Sequence, residues 1–303
     1  MYSLSQLKKS ISEPTRFWWE LNRLYHRRLG TRSYNDDGID FFEADWDNVV
    51  VLDACRYDTF ETLSDLSGSL SSRISRESAT KEWLEANFDE RELHDTVYVS
   101  ASPILYRNRD TVDVQFHDVI NIWKEEGWNE TYRTVLPETV TEATRRASER
   151  YPNKRLLIHY LQPHFPFLGP TGREEFDLDR LNFQWTDIAT GEIDTDLDVV
   201  RTAYRENLEL VLPHVDTLLQ ELQGKTVVTS DHGQMLGERG FPIPVRGYGH
   251  PPGIYNEALT RVPWHEHVDG PRKEIRAGEP VSDRDDVNEA VVSDRLRQLG
   301  YVD

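Results

Sequence analysis

Apolar and polar positions follow two rhythms along this chain. Short, almost wholly apolar runs recur at Val49 to Leu52, Thr96 to Val99, Leu156 to Tyr160 and Thr226 to Thr229. Such runs, lacking the two-residue alternation of a half-wet sheet, predict strands buried on both faces. Stretches of helical period lie between them. Lys81 to Phe88 opens as a helix, and Arg201 to Leu222 places Leu208, Val211, Val215, Leu218, Leu219 and Leu222 on one face. Pro213 is a blemish in that pattern, and Gly224 closes it. Val287 to Leu299 predicts a last helix, and Ile254 to Pro263 reads as a further strand. Strands alternating with helices predict an α/β fold with a mainly parallel sheet sandwiched by helices. Residues 168–200, rich in Asp, Gly and Thr, read as a surface excursion.

The first 33 residues form a piece of their own. Ser12-Glu13-Pro14 is a helix-start signal, followed at helical spacing by Phe17, Trp18, Leu21, Leu24 and Tyr25. Arg16, Arg23, Arg27, Arg28 and Arg32 make this the basic segment of an acidic protein. A basic, Trp-rich amphipathic helix suits an anionic membrane surface, a partner protein or the face of its own domain. The Asp/Gly-rich link Asn35 to Gly38 then sets the expected organisation: a helical extension over 1–33 and one α/β domain over 34–303.

Charge narrows the partners. The 303 residues carry 54 Asp and Glu against 35 Lys and Arg, a net −19, which nucleic-acid phosphates would repel. Lys supplies seven of those cations and Arg the other 28. Abundant carboxylates with scarce Lys resemble the proteins of salt-loving archaea, where a Debye length of about 3 Å screens self-repulsion. A single cysteine, Cys55, excludes an internal disulfide and fits a reducing compartment. No apolar run approaches the roughly 18 to 20 residues of a membrane span, and the N-terminus lacks a signal-peptide core. The expected location is cytoplasmic, with residues 1–33 available for contact with the inner membrane face.

Five segments carry candidate chemistry. Ser230-Asp231-His232-Gly233 follows the strand 226–229, so a carboxylate and an imidazole leave the C-terminal end of a buried strand, where open α/β sheets present ligands. Gly233 would permit a sharp turn that converges both on one metal ion, although Asp, His and Gly are also ordinary turn residues. Asp53 ends the strand 49–52 in the same way. Two carboxylates brought to one sheet edge repel unless a cation or proton lies between them. The alternative for Asp53 is a helix N-cap. In Ser78-Ala79-Thr80-Lys81-Glu82, a hydroxyl at the first turn of a helix has backbone N–H groups and the positive dipole end beside it, which stabilises an alkoxide or an attached anion. Spacing alone does not choose between Ser78 and Thr80, and both are common caps. Pro163-His164-Phe165-Pro166 brackets His164 between prolines that hold an extended backbone, suited to an oxyanion contact or to protonating a leaving group. His159, inside the strand, reads as structural. Gly249-His250-Pro251 places a second glycine-flanked imidazole where it could reach back over the same edge.

In this order the five segments resemble the alkaline phosphatase/sulfatase superfamily. The nearest branches are haloarchaeal sulfatase-like proteins and the catalytic domains of phosphoethanolamine and lipoteichoic-acid transferases. The resemblance spans about residues 47–300 and includes Leu236-Gly237-Glu238 and the closing Arg295 to Tyr301. It implies an alkaline phosphatase-like fold and a metal-dependent phosphatase, phosphodiesterase or phosphotransferase. It also implies Asp53, Asp231 and His232 as ligands of one divalent cation, Zn²⁺ or Mn²⁺, with Ca²⁺ or Mg²⁺ as further options. Thr80 would be the metal-bound nucleophile. His164 and His250 would contact the transferred group or leaving oxygen, with Ser78 and Arg56 on the substrate. The substrate would be a phosphate or sulfate ester, including lipid-linked glycans. Ser78 to Glu82 departs from the sulfatase motif Cys-x-Pro-x-Arg, Cys55 stands in a different motif, and Asp53 is followed by Ala54 rather than a second Asp.

Overall fold

The computed structural model describes residues 14–124, 127–176, 185–190, 195–281 and 287–301. Seven strands form the main sheet: β1 (Asn48–Leu52), β2 (Ser69–Ile74), β3 (Arg91–Ser100), β4 (Val114–Asn121), β5 (Arg155–Tyr160), β6 (Gly224–Thr229) and β7 (Arg261–Asp269). Their spatial order is β2-β7-β6-β1-β5-β3-β4. β1 is central, pairs in parallel with β5 and β6, and is buried along its whole length, as the apolar run Val49 to Leu52 between two neighbours requires. β5, β3 and β4 continue the parallel arrangement, while β7 runs antiparallel between β6 and β2.

Helices cover both faces. The principal ones are α1 (Pro14–His26), α2 (Tyr57–Leu63), α3 (Thr80–Phe88), α4 (Pro137–Arg150), α5 (Leu197–Glu221) and α6 (Glu289–Gln298). Successive β5 residues show the two layers. The His159 ring lies 5.9 Å edge-on to Trp83 of α3, whereas Tyr160 shares a 2.9 Å hydrogen bond with Thr141 of α4. An aromatic wall builds out the α3 side, with Phe41 stacked on Trp83 at 5.3 Å and Phe88 packed against Tyr98 and Phe116.

Three expectations change. The expected helix from Arg201 begins at Leu197, capped by the Asp196 side chain, and runs through Pro213 unbroken. Within 168–200, the described parts are not wholly a surface excursion: Phe176, Trp185, Ile188 and Val200 form a second small core with Phe167, Ala203, Tyr204 and Leu236, while Arg173 to Glu175 stay exposed. Ile254 to Pro263 is not one strand, since a helical turn (Glu257–Thr260) precedes β7. Residues 177–184 and 191–194 of the excursion, and Ser12 and Glu13 of the helix start, lie outside the described residues.

Candidate functional site

Because β1, β2, β5 and β6 point the same way, the loops that follow them meet at one sheet edge. β1 delivers Asp53, β2 the segment Ser75 to Thr80, β5 the loop with His164, and β6 Ser230-Asp231-His232. Asp53, Asp231 and His232 each offer a ligand atom, all within 4.8 Å of one another and all buried. His232 Nε2 lies 3.3 Å from Asp231 Oδ2 and 3.8 Å from Asp53 Oδ1. Thr80 opens α3, and its hydroxyl donates to Asp231 Oδ2 at 2.8 Å while lying 3.1 Å from His232 Nε2.

The remaining hydrogen bonds aim these groups at a shared point. His232 Nδ1 donates to the Gly233 carbonyl at 2.8 Å, which leaves Nε2 as a lone pair facing the carboxylates. Asp231 Oδ1 accepts from the backbone N–H of Ala54 at 3.0 Å and of His232 at 2.8 Å, so Oδ2 is turned inward. Among the described residues Asp53 Oδ1 has no hydrogen-bond donor, although it is fully buried. An orphaned carboxylate oxygen in the interior carries a large desolvation penalty, and a cation removes it. The donor set of two carboxylate oxygens, an imidazole nitrogen and a hydroxyl fits a hard or borderline divalent ion.

Electrostatics agree with that fit. Burial, and then the charge of Asp231, push the Asp53 carboxyl well above the ordinary range, partly offset by the nearby hydroxyls of Tyr301 and Thr80. Burial alone would also raise Asp231, but His232, His159 and its donors outweigh it and hold Asp231 low. One carboxylate is thus kept charged and its neighbour is driven toward protonation, the signature of two acids sharing a site without a cation.

His164 and His250 stand over this group, with ring centroids 4.9 Å apart and His250 4.7 Å from His232. His164 Nδ1 donates to the Phe165 carbonyl at 2.7 Å, and His250 Nδ1 to Gln234 Oε1 at 3.1 Å. Both present Nε2 as an acceptor. Burial lowers His164 to about 4 and drives His250 well below its ordinary value, with the neighbouring His232 adding to both shifts. In this resting state His164 therefore accepts a proton at Nε2. The expected protonation of a leaving group requires it to gain that proton first.

Two expected substrate contacts have other partners. The Ser78 hydroxyl donates to the Pro251 carbonyl at 2.9 Å and accepts from the Ile254 N–H at 3.2 Å, fastening the loop after His250. Arg56 is engaged by Asp58 at 2.5 Å and Glu238 at 2.6 Å and by the Gln234 carbonyl, so its guanidinium ties the β1 loop to residues 234–238. Both are engaged by protein groups. Cys55 is buried and its thiol is pushed far up by burial, which makes it inert.

Sequence reasoning missed the residues that hold the loops. Asn207 of α5 donates to the carbonyls of Pro163, His164 and Pro166 at 3.3, 3.0 and 2.9 Å and accepts from Leu168 N–H at 2.6 Å. This one buried amide thus satisfies three carbonyls of the His164 loop, while the His164 N–H donates to the Asp53 carbonyl at 3.1 Å. Asn207→Ala is expected to cost roughly 2 to 4 kcal/mol by urea unfolding, through orphaned buried carbonyls. A loss below about 0.5 kcal/mol would show that the loop holds itself. Ala54, at φ +59, is another silent feature: that strained turn brings its N–H to Asp231, while its carbonyl accepts from Tyr204. Gly233 serves differently from the expected turn. A Cβ there would collide with the Ala258 carbonyl, and its N–H donates to Leu259 at 2.7 Å.

α1 reaches the same region. Asn22 bonds both the N–H and the carbonyl of Ile243, Trp19 packs against Met235, and Arg27 meets the buried Glu77 at 3.0 Å, three residues before Thr80. Gly253 leaves the room that Arg27 occupies. Phe17, Trp18, Tyr25 and Leu29 stay exposed, beside exposed Phe241. Among the described residues no helix is long and apolar enough to cross a membrane.

Phosphoethanolamine transferases and a lipoteichoic acid synthase, the enzymes that the motifs resemble, are among the solved structures similar to this chain. The integral membrane lipooligosaccharide phosphoethanolamine transferase A of Neisseria meningitidis matches at 13% identity and TM-score 0.46, over 74% of this chain and 48% of its own. This chain thus spans about half the length of that enzyme. The periplasmic domain of phosphoethanolamine transferase EptC from Campylobacter jejuni matches at 14% and 0.45, over 72% and 77% of the two chains. The lipoteichoic acid synthase LtaP of Listeria monocytogenes matches at 14% and 0.43, over 84% and 71%. No family model and no curated protein sequence matches. At these identities the likeness concerns the path of the chain, and the chemistry has to come from the side chains.

Proposed function

We propose that this protein is a metal-dependent enzyme that transfers or hydrolyses phosphate esters through Thr80. The observation that carries the proposal is the fully buried Asp53–Asp231–His232 group, with Asp53 Oδ1 unpartnered and the Thr80 hydroxyl inside it. Asp53, Asp231 and His232 would hold one divalent ion, Zn²⁺ or Mn²⁺. Such an ion, when bound, lowers the pKa of a coordinated hydroxyl and neutralises phosphoryl oxygens.

The chain's own groups account for the rest. Without an ion the Thr80 hydroxyl donates to Asp231 Oδ2, which the ion would take as a ligand, so the proton released as Oγ1 forms its bond to phosphorus needs another acceptor, for which the unpartnered Nε2 of His164 is available. The bond from phosphorus to the leaving oxygen breaks with its electron pair on that oxygen, leaving a phospho-threonine. In the second half, the oxygen of the incoming water or acceptor hydroxyl bonds to phosphorus as the phosphorus–Oγ1 bond breaks with its electron pair on Thr80, and Nε2 of His164 or His250 is an available acceptor for the incoming group's proton. The α3 N-terminus behind Thr80 favours the transferred anion.

The exposed aromatic face of α1 supports a lipid-linked substrate, because the helix also touches the Thr80 and His250 loops. The test is a phosphate-ester screen at high and low salt with added Mn²⁺ or Zn²⁺, offering each ester both in solution and on anionic vesicles. Metal-dependent phosphate-ester turnover is expected, faster on vesicles. Sulfate release without phosphate release would overturn the reading.

A further inference from the structure

We propose that Tyr301, near the end of the chain, is a positioning residue of the metal centre, holding the Asp53 carboxylate so that its free oxygen faces the ion. This rests on the metal-dependent reading above. The Tyr301 hydroxyl donates to Asp53 Oδ2. The other oxygen of the same carboxylate, Oδ1, is the one without a donor and the one that faces His232. A carboxylate with one oxygen saturated by a phenol and the other bare in the interior is oriented for a cation on the bare side. Partners of this kind fix the rotamer of a ligand and raise its affinity for metal.

The phenol is placed by structure built for it. α6 buries Val292 and Leu296 in the main core, and Leu299 follows them there. The chain then reverses at Gly300, whose φ of +77 is in the left-handed region. The Tyr301 N–H donates to the Leu296 carbonyl at 3.0 Å and the Gly300 N–H to the Arg297 carbonyl at 3.1 Å, closing the helix end in the manner of a glycine C-cap. From there the ring stacks on His164 at 4.7 Å with an interplanar angle of 16° and lies edge-on to His250 at 6.3 Å. Tyr301 thus bridges Asp53 and His164, and α6 belongs to the site's surroundings as well as to the core.

The alternative role for a side chain in that space is a plug that substrate must displace. The two differ in what the hydroxyl does. Tyr301→Phe keeps the ring, its stacking on His164 and the helix cap, and removes the hydroxyl that donates to Asp53 and meets Thr80, so the decisive readout is metal affinity rather than turnover. Zn²⁺ and Mn²⁺ dissociation constants, measured by competition with a chromophoric chelator on the full chain, are expected to rise about 10- to 100-fold. The visible spectrum of the Co²⁺-loaded protein should shift, because the carboxylate changes its binding mode. A chain ending at Gly300 should bind metal no better than Tyr301→Phe. Thermal unfolding of the metal-free proteins separates folding from binding, and the Phe variant is expected to match the wild type within a few degrees. Wild-type metal affinity and Co²⁺ spectrum in Tyr301→Phe would overturn the proposal, and faster turnover at unchanged affinity would identify a plug. If the wild type itself binds no divalent ion, the metal-dependent reading fails, and that outcome is distinct from the failure of Tyr301.

Discussion

Thr80→Ala is expected to lower phosphate-ester turnover by at least about 10³-fold while the protein still binds its divalent ion within a few-fold of wild type. Loss of a covalent nucleophile ranks among the largest single-residue effects in catalysis, and a few hundred-fold would already exceed loss of one orienting hydrogen bond. The ligand atoms of Asp53, Asp231 and His232 are untouched by the change, so metal titration should be preserved. Thr80→Ser, which keeps a hydroxyl at the start of α3, should retain measurable turnover and a trappable phosphorylated residue at position 80. Ser78 is no substitute in Thr80→Ala, because its hydroxyl is committed to Pro251 and Ile254. Full activity of Thr80→Ala would remove the nucleophile assignment.

Asp53→Asn should move two properties in opposite directions. In the metal-free protein Asp53 and Asp231 are buried side by side, and Asp53 is driven well above its ordinary range by burial and by Asp231. Between the unfolded carboxyl value and that raised one, the folded chain holds a proton that the unfolded chain has released. Stability of the metal-free protein therefore declines as pH rises through that window. Asn carries no charge, so the decline should flatten and the metal-free variant should unfold at an equal or higher temperature at neutral pH. Metal affinity should fall by more than about 100-fold, beyond the range for a residue that only orients a ligand. For the wild type, affinity should rise with pH over the same window, since the ion displaces the Asp53 proton. Calorimetric unfolding and metal titration at several pH values check both. A metal-free variant markedly less stable than wild type, still binding metal tightly, would mean that Asp53 is structural.

These expectations show how a functional centre departs from the stability optimum. The two carboxylates, the strained Ala54 and the unpartnered Asp53 Oδ1 all sit within one turn of β1 and β6. Among the described residues other buried polar atoms, such as Asn87 Oδ1 and Thr134 Oγ1, also lack partners, but none of them belongs to a pair of buried carboxylates. A buried pair of like charges beside a strained turn is a local cost of the kind that selection for activity, rather than for stability, retains.

The sequence by itself determined the central sheet and its live edge. Strands buried on both faces must read as unbroken apolar runs, so Val49 to Leu52, Leu156 to Tyr160 and Thr226 to Thr229 were visible. The polar residues that end them, Asp53 and Asp231-His232, were visible for the same reason. β2, with its alternating and mostly polar Ser69–Ile74, gives no such signal, because an edge strand has only one side to bury. The tertiary structure alone decided which side chains serve the site and which serve the scaffold. Thr80 rather than Ser78 faces the carboxylates, since α3 starts at Thr80 and the Ser78 hydroxyl is turned to the His250 loop. Arg56 is held by Asp58 and Glu238 rather than left for substrate. Asn207 and Tyr301 lie far along the chain from the groups they hold, and nothing local marks them. Residue type and spacing announce what a strand end can bind. Only packing fixes the partner of each hydrogen bond, because most of these contacts join residues far apart in the sequence.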